Sequence, residues 1–148
     1  MKTWGNKEIL DQNKKAFLCS RRVPAMTVLK SYDWAKEQRE KGQCIVCGIH
    51  SQIEKDVFEI LLRGKQPLVV VLARGMKKRW QPEVIKAVEA NRLLVVSPFD
   101  ENIKRVTRIT AKKKNETIIE LGNSIVVGYA TEGGQLEELL KGVGYEVL

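Results

Sequence analysis

Ser20-Arg21-Arg22 follows the apolar run Ala16-Phe17-Leu18 and precedes Pro24. A helix beginning after that turn offers free backbone N–H groups and partial positive charge, which bind anions. Ser20 adds a hydroxyl donor, and Arg21 and Arg22 add guanidinium forks that suit phosphate. A capped helix with two solvated arginines accounts for the same residues. Gly48-Ile49-His50-Ser51 follows a second run, Cys44 to Cys47. Gly48 permits close backbone approach, and His50, the only histidine, is placed to touch a phosphate or a base. A general acid–base role for His50 has no matched partner. Ser51 with Glu54 also reads as a capping box, a structural role sufficient by itself. Arg74, Phe99 and the pair Gly133-Gly134 stand just beyond three further apolar runs. Paired glycines let a backbone approach a phosphate or sugar. Phe99 and Trp80 read either as surfaces for base stacking or as core residues.

The strongest charge feature runs from Lys104 to Asn115, with six cations and no acid. A helix is expected over residues 103–121, and on it Arg105, Arg108 and Lys112 recur at three and four and share a face. Such a stripe follows a phosphate backbone, and it also describes a solvated helix face. Lys114 and Asn115 come where this helix returns towards the next strand.

Other chemistries are excluded by pattern. The G-x-G-x-x-G fingerprint of nicotinamide and flavin enzymes is absent, and no set of residues assembles into an obvious catalytic group. Cys44 and Cys47 fall within one expected strand, where residues three apart point to opposite faces. With Cys19 they make an odd number, which argues against a disulfide framework and favours buried small hydrophobes. No cofactor and no metal are expected.

The net charge of +8 favours polyanionic partners or phosphate-bearing ligands, although charge alone also serves solubility. The distribution is uneven: Lys77-Lys78-Arg79 and the 104–114 segment are basic, while the tail from Glu132 to Leu148 is acidic. No apolar run approaches the roughly 18 residues that span a bilayer, and the first residues lack a signal-peptide pattern. No membrane contact and a cytoplasmic location are expected.

The elements that must position these residues alternate. Strands are expected near 15–19, 43–47, 67–72, 93–96 and 124–130, with a short sixth at 145–148. Helices are expected over 25–41, from about 53 to 64, 82–91, 103–121 and after Gly134. Val28, Leu29, Tyr32 and Ala35 recur as a buried helix face requires, and Gly42 supplies a stop. Strand–helix alternation with near-continuous apolar strands predicts an α/β, Rossmann-like, doubly wound, mostly parallel sheet of five to six strands with helices on both faces. All five turns would then share one sheet edge, where such folds bind ligands. Residues 1–14 read as a polar, peripheral N-terminal extension, and residues 15–148 as a single domain.

The ordered set of motifs resembles the DprA/Smf family of DNA-processing proteins, in its Rossmann-like core. That family's Gly-Ser-Arg turn reads here as Cys19-Ser20-Arg21, and its Ser-Gly turn running to an acid as Cys47-Gly48 to Glu54. Its strand ending in Ser with a following Pro or Phe reads as Ser97-Pro98-Phe99, its Arg-Asn-Arg segment as Lys114-Asn115-Glu116, and its closing small-residue turn as Gly133-Gly134. The resemblance covers about residues 15–148. It implies a positive pocket for single-stranded DNA lined by Ser20, Arg21, Gly48, Lys114, Asn115, Gly133 and Gly134. It also implies a non-enzymatic protein, a homodimer and a recombinase partner. The chain departs from the family at Cys19 and Glu116. A wider resemblance to LOG-type nucleotide-binding proteins leaves a second reading, a small-nucleotide sensor or nucleotide-processing enzyme. Leu136 and Glu137 break that group's Pro-Gly-Gly-x-Gly-Thr-x-x-Glu motif.

Overall fold

The computed structural model describes all residues, 1–148. Seven strands form one sheet in the order β1-β5-β4-β3-β2-β6-β7. They are β1 (Lys2–Gly5), β2 (Lys14–Leu18), β3 (Cys44–Cys47), β4 (Leu68–Val71), β5 (Leu93–Ser97), β6 (Ser124–Val127) and β7 (Glu146–Val147). Every pairing is parallel except β1 with β5. The helices are α1 (Ala25–Lys41), α2 (Gln52–Leu62), α3 (Pro82–Glu89), α4 (Arg108–Leu121) and α5 (Gln135–Leu139).

Alternation along the strands builds two cores. Phe17, Ile45, Cys47, Val70 and Val95 face α1, α2 and α3, where Phe17 stacks on Trp34 with ring centroids 5.2 Å apart. Ala16, Leu18, Cys44, Val46 and Val96 face the other way, against Ile118 of α4 and Leu136 of α5. Cys44 and Cys47 therefore lie in different cores, as residues three apart on a strand must. All three cysteines are free. Burial pushes the Cys44 thiol up to about 11 and the Cys47 thiol higher still.

The helix over 25–41 has the expected bounds, and Gly42 closes it in the left-handed conformation at φ 71°, with its N–H bonded back to Arg39 and Gln38. Two expectations change. The segment 1–14 is not merely peripheral: β1 extends the sheet beyond β5, and Ile9, in a 3-10 helix over Lys7–Asp11, is buried in the second core. Polar composition hid this because an edge strand needs only one covered face. The helix expected over 103–121 starts five residues later. Thr107 caps it: its Oγ1 accepts from Thr110 N–H at 3.2 Å, while Thr110 Oγ1 accepts from Thr107 N–H at 2.8 Å. Residues 103–106 instead join a loop in which Ile103 C=O accepts from Gly75 N–H at 2.7 Å. Arg105 therefore leaves the helix, and only Arg108 and Lys112 of the expected stripe remain one turn apart.

No helix is long and apolar enough to cross a membrane.

Candidate nucleic-acid interface

The chain moves outward from β2 through β3, β4 and β5, then returns to β6 on the other side of β2. Helices after β2 and β6 therefore diverge, and a crevice opens at the carboxyl ends of these strands, as at the switch point of any doubly wound sheet. The crevice here is a cleft of about 730 Å³. Three turns and the start of α4 wall it: Ser20-Arg21-Arg22 after β2, His50-Ser51 after β3, Thr131 and Gly134 after β6, and Thr107-Arg108.

Hydrogen bonds hold these walls together. Ser20 N–H donates to Tyr129 C=O at 2.8 Å, and Ser20 Oγ accepts from Thr131 N–H at 2.9 Å. The first and last turns are thereby fixed to one another. Gln135 Nε2 donates to Arg108 C=O at 3.1 Å, which ties α5 to the start of α4. Ser51 caps α2 and Glu54 completes the capping box, as its sequence spacing indicates.

Glu54 does more than cap. Its Oε1 accepts from the backbone N–H groups of His50 at 3.1 Å and Ser51 at 2.9 Å. Its Oε2 accepts from Lys114 Nζ at 2.6 Å. Glu54 is 1% and Lys114 4% exposed, so this is a buried ion pair on the cleft floor, joining α2 to α4. Burial pushes the Glu54 carboxyl up, but the Lys114 charge and these hydrogen bonds outweigh it and hold the group below the usual range. Gly48 lies beneath the pair, buried. A Cβ there would overlap Glu54 Oε2 and come within 3.0 Å of Lys114 Cδ and Nζ. The need for glycine at 48 is thus close approach of this pair.

The rim differs. Arg21, Arg22 and Arg108 are not buried, and none forms an ion pair. Within the cleft four cations face one carboxylate. His50 is half-buried, and burial followed by the neighbouring Lys114 charge lowers its imidazole below the ordinary value. Cys19 also lines the cleft, and burial pushes its thiol up to about 12. No group of three His, Cys, Asp or Glu side chains is arranged to hold a metal.

Of the residues singled out from sequence, Ser20, Arg21, Arg22, His50, Ser51, Arg108, Lys114, Asn115 and Gly134 meet at the cleft, and Gly48 lies under its floor. Lys112 and Gly133 line a neighbouring depression that shares Arg108, Gly134 and Gln135 with the cleft. Arg74, Phe99 and Arg105 lie outside both. The turns carrying Arg74 and Phe99 close on one another instead, with Ser97 Oγ donating to Arg74 C=O at 2.6 Å. They share the sheet edge, but β4 and β5 lie on the far side of β3 from the switch point. Trp80 is packed against the first core, 5.6 Å from Trp4, with Lys77 Nζ 4.8 Å from its ring centroid. Both neighbours occupy surface that a stacked base would use. Sequence reasoning did not single out Thr107, placed Thr131 and Gln135 only within the closing Gly133-Gly134 turn, and saw Glu54 as a cap and as the acid that ends the second turn. The Thr107-x-x-Thr110 spacing was the available signal for the helix start.

The family described as DNA recombination-mediator protein A matches residues 1–139. In structure the chain is similar to DNA processing protein A from Helicobacter pylori, a protein that binds single-stranded DNA. The TM-score is 0.74 at 15% identity, over 94% of this chain and 64% of that one. It is also similar to DNA processing protein A from Streptococcus pneumoniae, with TM-score 0.73 at 19% identity, over 98% of this chain and 52% of that one. The chain thus spans between half and two thirds of the length of these two proteins, and the likeness to them is one of fold. No curated protein sequence matches it. With 139 of its 148 residues matched, the chain belongs to the DNA recombination-mediator protein A family.

Proposed function

We propose that the cleft binds single-stranded DNA, with phosphates on the rim at Arg21, Arg22 and Arg108. The observation that carries this reading is the set of unpaired guanidinium groups around a crevice at the switch point of the sheet. Guanidinium groups without an internal partner are free to exchange counterions for phosphates. The neighbouring depression continues the cleft past Arg108 and Gly134, which suits a polymer longer than one nucleotide. Ser20, Ser51, Asn115 and Gly134 supply uncharged polar contacts along the walls. The reading assigns no catalytic step: burial pushes the Cys19 thiol up to about 12, away from the thiolate a nucleophile needs.

Fluorescence anisotropy with a labelled oligonucleotide tests this over a range of salt. Binding should weaken steeply with salt, and Arg21→Ala and Arg108→Ala should each weaken it further. Absence of binding at low salt would sink the reading. A phosphate-bearing mononucleotide is the second reading, because the cleft volume falls in the range of small-molecule sites. A thermal shift with mononucleotides and none with oligonucleotides would favour it. A cytoplasmic location, a homodimer and a recombinase partner go with the first reading. Light scattering and co-sedimentation with a purified recombinase test the last two.

A further inference from the structure

The basic turn Lys77-Lys78-Arg79 takes no part in the cleft, yet it is a built feature. Trp80 Nε1 donates to Lys77 C=O at 3.2 Å, and Lys77 Nζ sits 4.8 Å from the Trp80 ring centroid. Trp80 rests on Trp4 of β1, which pairs with β5. The turn is thus braced against the core, and Lys78 and Arg79 are exposed with no ion pair.

The same turn is joined to the cleft through a second loop. Gly75 N–H donates to Ile103 C=O at 2.7 Å. Ile103 is followed by Lys104 and Arg105, both exposed, and then by Val106, Thr107 and Arg108 in the cleft wall. Three residues span at most about 10 Å of chain, both from Gly75 to Lys78 and from Ile103 to Val106. Both loops leave the carboxyl ends of parallel strands, so they share the sheet edge of the cleft. Asp100 and Glu101 are the acids on these loops, against Arg74, Lys77, Lys78, Arg79, Lys104 and Arg105. Cation excess therefore continues from the Arg108 rim over Lys104-Arg105 to Lys78-Arg79.

We propose that this edge is a second contact surface for the same ligand: a single strand longer than the cleft leaves past Arg108 and lays its phosphates along Lys104-Arg105 and Lys78-Arg79. The inference rests on the cleft reading and extends it. The contacts are electrostatic and indifferent to sequence, because exposed cations meet phosphates and not base edges.

The test compares oligothymidylates of about 5 and about 20 nucleotides, by anisotropy at several salt concentrations. Lys78→Ala/Arg79→Ala is the variant, since it leaves Lys77 on Trp80. Its salt slope on the long strand should fall by about 1.4, near 0.7 for each phosphate left without its cation, with roughly tenfold weaker binding. Binding of the short strand should be unchanged. Lys104→Ala/Arg105→Ala, on the other loop, should behave in the same way. Parent-like binding of the long strand by both variants overturns the second surface. So does an equal loss on both lengths, which would mean general electrostatics. In either case Arg21→Ala reports separately on the cleft, because it should weaken short and long strands alike. A parent protein that binds neither length overturns both readings.

Discussion

The floor and the rim of the cleft both carry cations, but their charges are used differently. On the floor, Lys114 is buried and committed to Glu54 at 2.6 Å. On the rim, Arg21, Arg22 and Arg108 stand without a partner. A buried charge with its counterion removed is costly, whereas an exposed charge costs little to keep or to lose. The floor therefore carries a buried internal pair, and the rim carries charges with no internal partner; under the proposed reading a phosphate gains most at the rim. A lysine and an arginine both described as basic pocket residues should thus give opposite phenotypes when mutated.

The largest effect should follow from breaking the floor. Lys114→Met leaves the Glu54 carboxylate buried with uncharged donors only, the His50 and Ser51 N–H groups and the Ser51 hydroxyl, and should cost about 3–5 kcal/mol by urea unfolding. The double variant Glu54→Leu/Lys114→Met should recover part of that loss, because no bare charge remains. If Lys114→Met proves as stable as the parent but binds DNA poorly, the floor is a ligand site and the distinction collapses. Gly48→Ala comes next. The new Cβ meets the far ends of two side chains, but these are locked together, so they must separate to admit it. A loss of about 1–3 kcal/mol is expected.

Acid should sharpen the same contrast. The Glu54 carboxyl is held below its ordinary value in the folded chain. Its contribution is fully present above the unfolded value, about 4.3, and is lost as pH falls through the lower folded value. Unfolding free energy of the parent should fall over that window more steeply than that of the Glu54→Leu/Lys114→Met variant. Equal slopes would show that the pair does not titrate with folding. The smallest stability effects belong to the rim. Arg21→Ala and Arg108→Ala should alter stability by no more than about 0.5 kcal/mol. Each should lower the salt slope of oligonucleotide binding by about 0.7.

Much of this arrangement is legible in the chain itself. The apolar runs at 16–18, 44–47, 68–72, 93–96 and 125–127 are buried strands because their side chains need cover on both faces. Gly42 and the Ser51–Glu54 capping box mark helix ends by local chemistry. The first strand escapes sequence reading because Lys2, Thr3 and Trp4 resemble a polar leader, and only pairing with β5 makes them a strand. Arg105 is misplaced by periodicity because a run of helix-tolerant residues conceals a start that the Thr107 cap decides.

The sequence by itself determined the alternation of strands and helices, the small, polar or basic character of the turns and the family to which their order belongs. These are local properties, set by side-chain periodicity, capping and charge within a few residues. Tertiary structure alone decided which turns form the cleft. Five turns share one sheet edge, but the strand order β5-β4-β3-β2-β6 opens a crevice only where helices part beside β2. It also decided that Lys114 meets Glu54, sixty positions earlier in the chain, and so gave one of the most suggestive cations an internal partner. Separation along the chain carries no information about such a meeting, because α2 and α4 cover opposite faces of the sheet and their side chains meet only beyond the strand ends.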